Sequence, residues 1–143
     1  MRKSGVIGCA NLGSVNLGGL ISAVVVAASL FGASGAIAGP FEDGMAAYNR
    51  GDYLPAIRLF RPLAEQGNAK AQRLIGAMYH KGEGVPRSAH RALMWFNLAA
   101  KRGDAQAKAG MREVSKAMTP AEISQAEGMA QACAASDYRD CEY

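Results

Sequence analysis

The sequence predicts an all-α protein: a short α-solenoid of about three antiparallel helix hairpins that follows an N-terminal signal peptide. Three observations lead there. Ala56, Phe60, Ala64, Gly67 and Ala71 recur as Ala92, Phe96, Ala100, Gly103 and Ala107 at a constant offset of 36, a period typical of stacked supersecondary units. Within the copies, Ala56, Leu59, Phe60 and Leu63, then Ala92, Trp95, Phe96 and Ala99, keep the i, i+3, i+4, i+7 spacing of one helix face. The junctions carry helix stop and start residues, with Gly67 before Asn68 and Gly103 before Asp104.

The elements follow in chain order. Met1-Arg2-Lys3 is a short positive segment, Leu17 to Phe31 is apolar, and Ala36-Ile37-Ala38 fits the small-residue rule of signal peptidase. Residues 1–38 therefore read as a signal peptide cleaved after Ala38, giving a periplasmic or secreted protein; the rival reading is an uncleaved anchor, since Leu17 to Ala38 is 22 residues long. Cys9 precedes the apolar core and leaves with the leader. Removing 38 of the 143 residues leaves 105, enough for one modest domain.

Helices are expected over 42–50, 53–66, 69–81, 88–102, 105–118 and 120–134, with no strand. Ser88 is placed to cap the fourth, and Thr119-Pro120-Ala121-Glu122 is a capping box with proline at the first helical position. The helical repeat domain spans 39–134, and 135–143 forms an acidic tail. Export to an oxidising compartment predicts that Cys133 and Cys141, separated by seven residues, pair as a disulfide.

Residues 71–86 followed by 91–107 carry the specific motif: Ala71, Ile75-Gly76, Tyr79, Gly82-x-Gly84-Val85, Ala92, Trp95-Phe96, Ala99-Ala100 and Gly103. This stretch resembles the Sel-one-like repeat, a relative of the tetratricopeptide helix hairpin, with Ile75 in the usual leucine position. The first copy lacks the Gly-x-Gly-Val loop and looks more like a tetratricopeptide hairpin. In the third, Arg112 and Ser115 replace the signature glycine and tyrosine, as in a terminal cap. The resemblance implies interhelical packing roles for these signature residues and a protein–protein interaction function in the bacterial envelope. Cysteine-rich relatives imply an alternative, a cell-wall or β-lactam-binding or hydrolysing protein; here only the terminal cysteine pair has their spacing. A retained leader would make a membrane-tethered assembly factor instead.

No chemistry-bearing motif competes with that reading. The cysteines and histidines lack zinc-motif spacing, and Gly82-Glu83-Gly84 lacks the Lys-Ser/Thr of a phosphate loop. No enzyme activity, cofactor or metal is expected. Charge is the uneven feature: residues 39–119 carry +6 and residues 120–143 carry −4. Lys108, Arg112 and Lys116 share one helix face, while Lys70, Arg73 and His80 line part of another. These six are the candidate residues for contacting an acidic protein or peptide. Interspersed acids and the export signal speak against nucleic acid.

Overall fold

The computed structural model describes residues 39–139 and Cys141, and the expected leader lies outside them. Within these residues the chain forms six helices and no strand: α1 Pro40–Arg50, α2 Tyr53–Glu65, α3 Ala69–Lys81, α4 Ala89–Lys101, α5 Ala105–Ser115 and α6 Pro120–Ala135.

Local side-chain chemistry fixes most of the N-terminal boundaries. The side chains of Asn68, Ser88 and Asp104 accept from the backbone N–H groups of Ala71 (3.1 Å), Arg91 (3.3 Å) and Ala107 (2.8 Å), supplying partners for donors that the first helical turn leaves open. Thr119 and Glu122 close the capping box reciprocally. Two ends differ from the sequence reading by more than one residue. α1 begins at Pro40, because proline at the first position fixes a helical φ and lacks only an N–H that would have no helical partner. α5 stops at Ser115 instead of 118: residues 116–118 tighten into a turn closed by Ala117 N–H to the Val114 carbonyl and Met118 N–H to the Ser115 carbonyl.

α1 packs on α2, α3 on α4, and α2 on α3, so two hairpins stack in sequence. The last pair departs from a simple third hairpin, because α5 and α6 each contact α4 more extensively than they contact one another. Phe96 of α4 explains why α5 comes so close. A Cβ built on Gly76 of α3 would lie 2.9 Å from the Phe96 ring, and one on Gly110 of α5 would lie 2.8 Å from it. Neither glycine leaves room for a side chain. Gly44 of α1 stands in the same relation to Phe60 of α2, at 2.6 Å.

Trp95, Tyr79, Phe60, Ile75, Met78, Leu93, Met94 and Leu98 are the largest fully buried apolar side chains. Of the repeat-signature residues, Ala71, Ile75, Gly76, Tyr79, Ala92, Trp95, Phe96 and Ala99 are buried, Gly84, Val85 and Ala100 are half-buried, and Gly82 and Gly103 stand exposed at helix ends with φ of 78° and 91°. The signature thus divides into a packed set and a set that turns the chain.

Candidate functional site

α3 and α5 lie side by side and run parallel. Arg73 pairs with Asp104 near their N-terminal ends, and His80 exerts its charge on Glu113 further along. The other five sequence-predicted contact residues lie on these two helices, where Lys70, Lys108, Arg112 and Lys116 are exposed and His80 is half-exposed.

Arg73 also makes a contact within the fold. Its Nε donates to Asp104 Oδ2 at 3.1 Å, with side-chain exposures of 25% and 10%, and Asp104 Oδ1 meanwhile caps α5. The guanidinium is committed to holding α5 beside α3. The signal for this was the replacement of neutral Asn68 by charged Asp104 at the repeat offset. Lys116 is also partly committed, since its ammonium meets Glu113 at 2.6 Å on an exposed surface. That ammonium, aided by His80, holds the Glu113 carboxyl below the usual carboxylate range. Lys70, Lys108 and Arg112 form no ion pair with any described residue. α3 and α5 therefore carry three exposed cations that form no ion pair with a described residue.

A second polar group, missed in the sequence, joins α1 to the end of α3. Tyr48 donates its phenolic O–H to Glu83 Oε2 at 2.8 Å, accepts from Lys81 Nζ at 3.2 Å, and sets its ring edge-on to Tyr53 with centroids 5.5 Å apart. Burial and the Glu83 hydrogen bond together raise the Tyr48 phenol above its ordinary value, and the Tyr48 oxygen in turn raises Lys81. Both groups hold their protons more tightly folded than unfolded, so the stabilisation from this cluster is complete below the ordinary tyrosine value of 10.0 and is lost as pH rises through the raised one. An absorbance titration should show a late-ionising phenol that disappears in Tyr48→Phe. Coincident titration curves for the two proteins would contradict the cluster.

Among the described residues, no group of histidine, cysteine or carboxylate side chains could hold a metal, and no helix is long and apolar enough to cross a membrane. The family model of the Sel1 repeat matches residues 44–68 and 69–104, so the two matched units end at the capping residues Asn68 and Asp104. The match takes in the first copy despite its missing loop. A search of curated proteins returned no match.

Proposed function

From a chain that carries two Sel1 repeats, a helical scaffold that typically serves protein–protein interaction, we propose an exported adaptor that binds an acidic protein or peptide in the shallow groove along α3 and α5. The observation that carries this reading is the set of unpaired cations Lys70, Lys108 and Arg112 on two parallel helices. Such a surface raises the encounter rate with an acidic partner and disfavours a basic one. The periplasm or the exterior of the cell is the proposed location, supported by the leader pattern in residues 1–38 and by the disulfide between Cys133 and Cys141.

Reversing Lys70, Lys108 and Arg112 to glutamate together should cut capture of partners from envelope extract by about tenfold or more while helical circular dichroism is retained. Raising the salt concentration should weaken capture by the parent, because exposed charge pairs are screened over a Debye length of about 8 Å at physiological ionic strength. Capture that survives both treatments would overturn the assignment of this face. The intact mass of the exported protein tests the address: a chain beginning at Gly39 supports cleavage, and a retained leader favours tethering.

A further inference from the structure

Arg73 holds α5 by one edge of its guanidinium only. Its Nε donates to Asp104 Oδ2, and neither Nη group makes a hydrogen bond with a described residue. Those two groups are not sealed in the core. Among the described residues that are not exposed, the side-chain nitrogens and oxygens both closed to solvent and unpartnered belong to Gln72, Trp95 and Asn97, and half-buried Arg73 contributes none of them. With a quarter of its side chain accessible, Arg73 keeps an unfilled Nη edge within reach of a ligand.

The surroundings favour an anion there. Lys70 lies one turn before Arg73 on α3 and Lys108 one turn after Asp104 on α5, so the ion pair brings both lysine-bearing turns to the same end of the two helices. Over residues 69–79 and 104–112 the cations are Lys70, Arg73, Lys108 and Arg112, and Asp104 is the only acid. Its two oxygens are already taken, one by Arg73 and the other by the α5 cap. The positive surplus is therefore left for a ligand. A planar guanidinium fork matches the two oxygens of a carboxylate, which an ammonium cannot do. Held in place by Asp104, this fork has less freedom to lose on binding than the exposed lysines beside it.

We propose that Arg73 is the specificity-determining residue of the α3/α5 face: its Nη edge receives the side-chain carboxylate of an aspartate or glutamate of the partner. Lys70 and Lys108 attract the neighbouring acids, and Asp104 is the positioning residue that fixes the guanidinium from its Nε side. This inference rests on the assignment of the face to an acidic protein or peptide, and adds which residue reads the acid.

Fluorescence anisotropy at low salt with two dye-labelled, C-terminally amidated peptides, one of six glutamates and one of six cysteic acids, tests the proposal. The charges are equal, but only glutamate presents a planar pair of oxygens. The parent should bind the glutamate peptide at least about fivefold more tightly. Arg73→Lys, which keeps the charge, should weaken that peptide about tenfold and bring the two probes within about twofold of each other. Asp104→Asn retains a capping side chain, as Asn68 does at the repeat offset, and makes the face more positive, yet it should weaken the glutamate peptide severalfold. A loosened α5 would weaken both peptides alike, so the ratio between them separates recognition from mere support. An unchanged ratio in Arg73→Lys, tighter glutamate binding in Asp104→Asn, or binding only by a glutamate peptide with a free C-terminal carboxylate would each overturn the role of Arg73. If charge reversal of Lys70, Lys108 and Arg112 still abolishes binding in that event, the acidic-partner reading stands without it. Absence of saturable binding to either peptide also overturns the role of Arg73, and capture from envelope extract then decides the face separately.

Discussion

Trp95→Ala should lower stability by about 3–5 kcal/mol, the range expected when a fully buried aromatic ring is deleted from a core that cannot collapse around the gap. Trp95 is 1% exposed and sits on α4, the helix that contacts α3, α5 and α6. The gap would open at the junction of several elements, each already tight against its neighbours. Phe96, the next residue, is fixed between Gly76 and Gly110 and has no freedom to swing into it. A domain of this size has about 5–15 kcal/mol in total, so the variant should be partly unfolded at moderate denaturant. The measurement is urea unfolding followed by far-ultraviolet circular dichroism, since Trp95 is the single tryptophan and its fluorescence is lost with it.

Trp95→Phe refines the same expectation. The indole Nε1–H is buried and has no acceptor among the described residues, and an unmet buried donor costs about 1–3 kcal/mol. Phenylalanine removes that donor and refills much of the space. Its loss of stability should therefore be less than half that of alanine. If the two variants are equally destabilised, neither the refilled volume nor the removal of the unmet donor offsets the loss and the expectation fails; if Trp95→Ala costs under about 1 kcal/mol, the core closes over the gap and α4 is not the hub of the packing.

The sequence conveys the helices well because caps and periodicity are local. Asn68, Ser88, Asp104 and Thr119 each act within three residues of their own position, and an offset of 36 between copies places Phe60 and Phe96 in equivalent roles. What periodicity cannot convey is which charge meets which across the fold. Arg73 lies on the face that its spacing predicts, yet its partner is Asp104, 31 residues away. Tyr48 and Glu83 meet across 35 residues, and Arg102 and Tyr138 across 36. The exposure of Leu54 is hidden for a related reason: it reads as one more apolar residue at a helix start, and only the return of the loop at Gly84 against Tyr53 shows that it borders a hollow lined by Asp52, Tyr53, Pro55 and Gly84. The packing of α6 on α4 depends on α5 ending early, which in turn rests on a turn after Ser115 with no glycine to announce it.

Loss of the Cys133–Cys141 disulfide is expected to cost about 2 kcal/mol and to lower the melting temperature by roughly 8–16 °C without abolishing the fold. The bridge closes a loop of sequence separation 8 with both cysteines buried, Cys133 at 0% and Cys141 at 4% exposure. Chain entropy alone assigns so short a loop about 2–3 kcal/mol. Part of that is offset within the loop, where Asp137 and Tyr138 adopt φ of 53° and 63°, a left-handed conformation that is unfavourable for non-glycine residues. The conformation is held from both sides. Tyr138 N–H donates to the Cys133 carbonyl at 2.9 Å, and its hydroxyl accepts from Arg102 Nη2 at 2.9 Å while the guanidinium lies 5.1 Å from its ring centroid. Arg102 in turn covers Gly67, where an added Cβ would overlap the guanidinium. The clasp thus ties the end of α6 through α4 to the turn between α2 and α3, joining the last helix to the first matched repeat. Cys133→Ala with Cys141→Ala should show the full loss, whereas Tyr138→Phe, which keeps the ring over Arg102 and forfeits only exposed hydrogen bonds, should cost under about 1 kcal/mol. A double variant as stable as the parent would mean that the left-handed turn holds the tail unaided, and two free thiols in protein purified from its native source would show that the bridge does not form there.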